Sequence, residues 1–207
     1  MRKLTILLAF SLNIVFAGAP RLTIDSQTAS RGETIVILRN ESYVPVTAYT
    51  VGTSDRNFAT IDTLLGGHEG RPLLHGDVVE VRVPGGTGEA RVMAGVFEDG
   101  SREGDGSWVR RLLENRQAVL NDIPRAMMLL RHAIDQKTAR PAAAFWFRQW
   151  NDHFRASHNG ESNPVPLAAE MLLRNREDQW VDSPARELMR VFEDLSSKLR
   201  ESKPELY

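Results

Sequence analysis

Apolar positions follow two different rhythms along this 207-residue chain, and the rhythm changes near residue 105. From Leu22 to Glu98 the rhythm is two. Glu33–Leu38 (ETIVIL) is β-branched and apolar. Val44–Val51 (VPVTAYTV) sets Val44, Val46, Ala48 and Thr50 against Thr47, Tyr49 and Val51. Asp77–Val83 places Val79, Val81 and Val83 opposite Glu80 and Arg82, and Arg91–Phe97 is largely apolar. Alternation with β-branched enrichment marks half-buried strands. Turn chemistry separates the runs at Ser30-Arg31-Gly32, Asn40-Glu41-Ser42, Gly66-Gly67, His75-Gly76-Asp77, Pro84 to Gly88 and Asp99-Gly100. Five to seven short strands with no helix between them imply an antiparallel sandwich. Pro45 belongs at an edge or a strand start, because proline cannot donate to a ladder. A phosphate loop at Pro84-Gly85-Gly86-Thr87-Gly88 would need a helix after it; a strand follows, so the stretch reads as a hairpin turn.

From Asp105 onward the rhythm is helical. Trp108, Leu112, Val119, Ile123, Met127, Leu130 and Ile134 recur at steps of three, four and seven. Pro124 interrupts this run, and Asp122 is placed to cap a new helix, so a break or kink is expected there. Pro141 opens a second helix through Phe154, and Asn163-Pro164 precede a third around Leu167, Met171 and Leu172. Ser183 then Pro184 is a cap followed by a first-turn proline. Leu188, Val191, Phe192, Leu195 and Leu199 form the apolar stripe of a last helix. The expected fold class is α+β, with an N-terminal antiparallel β-sandwich and a C-terminal helical region. The expected division is 20–104 for the β-sandwich domain, 105–202 for the helical region, and 203–207 for a fraying tail.

Residues 1–19 follow a third pattern. Arg2 and Lys3 precede a thirteen-residue apolar run, Leu4–Phe16, and then Ala17-Gly18-Ala19. This is the layout of a secretory signal peptide. The run is shorter than the ~20 residues that span a bilayer. Cleavage after Ala19 fits the small-residue rule but leaves Pro20 at the scissile bond; cleavage after Ala17 avoids that. No later stretch is apolar enough to span a membrane, so no anchor is expected after cleavage.

Composition narrows the field. The 26 Lys+Arg balance 27 Asp+Glu, and loss of Arg2 and Lys3 leaves a net charge of −3. Such a balance argues against nucleic-acid binding through bulk positive charge. The chain has no Cys, which excludes disulfides, thiolate zinc sites and cysteine nucleophiles. An exported chain without disulfides suits a periplasmic or secreted bacterial protein.

Two stretches carry a resemblance: Asn40-Glu41-Ser42-Tyr43-Val44-Pro45-Val46-Thr47-Ala48-Tyr49 (N-x-S-x-x-P-V-T-A-Y) and Asp99-Gly100-Ser101-Arg102-Glu103-Gly104-Asp105 (D-G-S-x-E-G-D). On these the chain resembles a group of exported bacterial proteins, frequent in soil bacteria, that have no assigned activity. The resemblance covers roughly residues 20–135. It implies that the sandwich is immunoglobulin-like and runs into helices, and it carries over no catalytic residue.

Candidate chemistry is sparse. Asp99, Ser101, Glu103 and Asp105 alternate like the opening of a calcium loop. The twelfth loop position, however, is Arg110 rather than an acid, and a strand rather than a helix precedes. A tight Asp-Gly turn with Asp105 or Ser107 capping the next helix accounts for the same residues. The five histidines, His68, His75, His132, His153 and His158, form no H-E-x-x-H pair, and no serine sits in G-x-S-x-G. No cofactor is implied. Asn40-Glu41-Ser42 matches a glycosylation triplet and reads as a turn. The aromatics are the most concentrated feature. Trp146, Trp150 and Phe154 share one face, Phe147 lies beside it, and Phe145 points elsewhere. Either the helix is covered on two sides, or Trp146, Phe147, Trp150 and Phe154 present a docking patch rimmed by Arg148 and Arg155.

These readings lead to an exported, non-catalytic binding or scaffolding protein of the bacterial cell envelope, with an envelope protein as partner. The alternative is an envelope hydrolase or small-ligand carrier with its site between sandwich and helices. A concave polar pocket with converging His and carboxylates would favour that alternative, a closed apolar junction the interaction reading.

Overall fold

The computed structural model describes residues 21–66, 71–157, 163–174 and 180–202. The signal-peptide reading of 1–19, the tail 203–207, His68 and His158 lie outside the described residues. Among the described residues, seven strands are followed by four helices. The strands are β1 (Leu22–Ser30), β2 (Glu33–Asn40), β3 (Val46–Thr53), β4 (Phe58–Asp62), β5 (Val78–Pro84), β6 (Ala90–Phe97) and β7 (Arg102–Gly104). The helices are α1 (Gly106–Asp135), α2 (Arg140–Ser157), α3 (Pro164–Arg174) and α4 (Asp182–Glu201). All strand pairings are antiparallel, in two sheets ordered β1-β2-β5 and β4-β3-β6-β7.

The period-two pattern becomes an inner and an outer face. In β2, Thr34, Val36, Leu38 and Asn40 are buried while the residues between them stay partly exposed. In β5, Val81 and Val83 turn inward and Glu80 and Arg82 outward. Val36, Leu38, Val81 and Val83 meet Val46, Tyr49, Val51 and Phe97 of the second sheet in one shared core. Desolvation in that core pushes the Tyr49 phenol above its ordinary range.

β3 is buried along its whole length, because both of its faces are covered. One face meets the other sheet. The other, with Ala48, Ala94 and Val96, packs on Val109, Leu112 and Leu113 of α1. Alanine at two of these positions lets a helix lie close against the strands. Pro45 sits immediately before β3, an interior strand, and so removes no ladder bond. Pro84 to Gly88 joins β5 to β6, which belong to different sheets. The stretch is therefore a crossover between sheets, not a hairpin. Its glycines allow the close approach: a Cβ on Gly86 would lie 3.0 Å from the Thr53 side chain.

Gly104 makes the passage from sheet to helix. Its φ of 98° is left-handed, and a Cβ there would lie 2.3 Å from the Met93 carbonyl oxygen, so only glycine fits. Asp105 then caps α1, its carboxylate accepting from the Ser107 N–H at 2.8 Å. α1 runs for 30 residues, about 45 Å, without interruption at Pro124. The expected break is absent. Proline costs one intrahelical donor, but Val119, Ile123, Ala126 and Leu130 hold both sides of it in a continuous core. Asp122 does not cap a helix; its carboxylate accepts from the Asn163 side chain at 2.6 Å.

The second half of α1 joins α2, α3 and α4 in a separate helical core containing Ala143, Phe147, Val165, Leu173, Leu188 and Phe192. α4 starts at Asp182, earlier than Ser183 as a cap would place it. Val181 is its N-cap, with no side-chain bond. Among the described residues no helix is long and apolar enough to cross a membrane.

Candidate functional site

Among the described residues the strand portion meets the helices in two places, and they differ in kind. The first is the packed face of β3 and β6 against α1. At its end lies Arg116, 0% exposed. Its Nε donates to Asp62 Oδ2 at 2.7 Å, and its Nη2 to Asp62 Oδ1 at 3.1 Å and Thr47 Oγ1 at 3.0 Å. Thr47 reaches this position because it is the extra residue of a bulge: Val46 pairs with Phe97 and Ala48 with Val96. Nη1 of Arg116 is buried with no hydrogen-bond partner among the described residues. Such a pair adds little net stability but strongly disfavours any arrangement that separates its partners.

Asp62 extends the link one step further. Its Oδ1 also accepts the Leu64 N–H at 3.0 Å, which sets the turn after β4. The Thr63 hydroxyl donates to the Thr47 carbonyl at 3.0 Å, tying the same turn to β3. Thr63, Leu64, Leu65 and Gly66 are thereby held against the helical core as one wall of a cavity.

That cavity, about 320 Å³, is the second meeting place. Its size falls at the lower end for small-molecule sites. Val119 of α1, Val165 of α3 and Phe192 of α4 form a fully apolar floor. Pro164 and Ala168 make the α3 wall; Val191, Asp194, Leu195 and Lys198 make the α4 wall. Asn163 fixes the α3 wall in place. Its side-chain oxygen accepts the Val165 N–H at 3.0 Å, and its own N–H donates to Asn151 Oδ1 at 2.9 Å. Val191, at 51% exposed, is an apolar side chain left in water at the mouth. Lys198 Nζ and Asp194 Oδ2 pair there at 2.7 Å, both side chains more than half exposed.

The candidates named from sequence lie elsewhere. Asp99 accepts from the Ser101 N–H and hydroxyl, and these bonds hold its carboxyl below the usual range. The Ser101 hydroxyl in turn accepts from Arg21 Nη1 at 2.6 Å. Glu103 accepts the backbone N–H groups of Arg21 and Leu22 at 2.9 and 3.1 Å, clamping the start of β1 to β7. Asp105 caps α1, and the Ser107 hydroxyl and N–H lower its carboxyl as well. Each of these three carboxylates serves the sheets or the helix start. Among the described residues no group of three or more His, Cys, Asp or Glu is placed to hold a metal ion.

The aromatic helix turns inward. Phe147 is fully buried and Trp150 is 7% exposed, both in the helical core, while Trp146 and Phe154 are partly buried. Trp146 packs near His132 at a ring separation of 5.7 Å, and Arg125 of α1 lies 4.3 Å over the Trp150 ring. The docking patch expected from Trp146, Phe147, Trp150 and Phe154 is therefore not a free surface: α1 and the helical core cover it. Phe145, at 49% exposed, is the aromatic that stays outside. Arg148, expected at a rim, pairs with the buried carboxylate of Glu170 at 2.9 Å and joins α2 to α3. His75 stacks on Tyr43 at 4.3 Å, and His153 is exposed.

No family model, curated protein or solved structure matches this chain. Sequence reasoning missed Arg116 and the cavity. The spacing Val109, Leu112, Arg116, Val119, Ile123 places an arginine on the apolar stripe of α1, and that was the available signal.

Proposed function

We propose that this protein is an exported, non-catalytic binding protein of the bacterial cell envelope, and that it holds an apolar small molecule in the cavity between the turn after β4 and helices α1, α3 and α4. One observation carries the reading: a 320 Å³ cavity with an apolar floor stands open at a junction whose other half is closed and fully packed. Pockets at such junctions are common ligand sites. The side chains fixed by hydrogen bonds around it, Thr63 and Asn163, supply shape, and the Asp194–Lys198 pair at the mouth brings charge. Export rests on the tripartite pattern of residues 1–19, and membership of the exported bacterial group on the two sequence stretches that resemble it. The order β1-β2-β5 facing β4-β3-β6-β7 supports reading the sheets as an immunoglobulin-like sandwich. A protein partner docked on the aromatic helix is the weaker reading, because that face is covered.

The test is titration of the mature protein with a fluorescent naphthylamine probe, followed by displacement with decanol. The reading expects saturable one-to-one binding. It also expects Ala168→Trp, an exposed position on the cavity wall, to weaken binding at least tenfold while the melting temperature holds. Unsaturable binding, or binding untouched by the variant, contradicts it.

A further inference from the structure

We infer that the cavity ligand is a single-chain amphiphile with a carboxylate head, and that Lys198 reads the head. This rests on the cavity reading above and adds the chemistry of its ligand. The argument starts from volume. About 320 Å³ accommodates roughly ten water-sized groups at ~30 Å³ each, which is a medium-length acyl chain. The floor of Val119, Val165 and Phe192 presents no buried polar atom that such a chain would leave unsatisfied. Val191, half exposed at the mouth, gains cover when a chain lies across it.

The head is assigned from the α4 wall. Among the described lining residues only Asp194 and Lys198 carry charge, one helical turn apart at the open end. A lysine ammonium has three donors, and the bond to Asp194 uses one. The others remain available to a carboxylate that stands outside an apolar channel. A neutral head, such as an alcohol, can accept a bond from the ammonium but gains no attraction between opposite charges there. Asp194 weakens the field of Lys198 without removing it, so the discrimination is modest. For an exposed pair of charges it is roughly threefold in affinity.

The experiment compares decanoate with decanol, each below its aggregation threshold at pH 7.5 and low salt, by displacement of the naphthylamine probe. The expected result is that the acid binds about threefold more tightly than the alcohol. Lys198→Gln removes that preference, bringing the acid-to-alcohol affinity ratio to about one, whereas Lys198→Arg keeps it. Asp194→Asn widens it. Raising the ionic strength narrows it in the native protein. Equal binding of acid and alcohol by the native protein, or a preference that survives Lys198→Gln, overturns the assignment of the head while the cavity reading stands. Failure of both compounds to displace the probe overturns both. Lys198 is half exposed, so its variants are expected to fold, and an unchanged melting temperature verifies that.

Discussion

The two contacts between strands and helices put opposite solutions side by side. At β3, β6 and α1, alanines bring the layers close, leucines fill the space, and Arg116 with Asp62 and Thr47 closes the end. At the turn after β4, the same strand portion meets α1, α3 and α4 and leaves a cavity with Val191 uncovered. One contact is a join. The other keeps space that a larger side chain at Ala168 could have filled. Asp62 belongs to both, since its carboxylate holds Arg116 on one side and the Leu64 N–H on the other. The packed join therefore shapes the open one.

Substitutions should separate the two contacts by size of effect. The largest is expected at the join. Arg116→Ala leaves Asp62 buried without its cation and should cost about 3–5 kcal/mol in chemical denaturation. The double variant Arg116→Met, Asp62→Leu should cost less than the single one, because no charge is stranded. If it costs more, the pair is a net stabiliser and the account of the join is wrong. Next comes the helical core. Trp150→Ala should cost ~3 kcal/mol, because the ring is packed rather than presented. A near-zero cost there would restore the aromatic helix as a docking face. At the cavity mouth, Val191→Ser should change stability by less than ~0.5 kcal/mol, yet weaken decanol binding. A large loss of stability would mean that the cavity wall is ordinary core.

The smallest effect concerns the start of α1. Asp105 titrates below its ordinary range in the folded protein, so its cap adds stability above the unfolded carboxylate value of ~3.9, and that contribution fades as pH falls through the lower folded value. Asp105→Ala should therefore melt slightly below the native protein at pH 7, and the gap should close under strong acid. A gap independent of pH would show that the capping bond does not require the charge.

The same comparison explains what could be read from the chain. The strands are local, and the β-branched run at Glu33–Leu38 and the alternation at Asp77–Val83 mark them. The cap at Asp105 and the third helix after Asn163 follow from local chemistry too. Pro124 misled because its penalty is local while the core that overrides it is not. Pro84 to Gly88 misled because a turn and a crossover use the same residues, and only the partners of β5 and β6 tell them apart. The aromatics of α2 could be placed on a face, but which element covers that face depends on α1. The cavity was least legible, since Thr63–Gly66 and Lys198 lie far apart in sequence and meet only through Asp62, Arg116 and the packing of α4.

The most direct test of the central claim is a methyl NMR titration of the protein with decanol, with the cavity and the inter-sheet core observed together. The account predicts saturable shifts at Leu64, Leu65, Val191 and Leu195, with Val36, Leu38 and Val81 unmoved. Shifts absent from the cavity methyls, or spread equally over both groups, would contradict it.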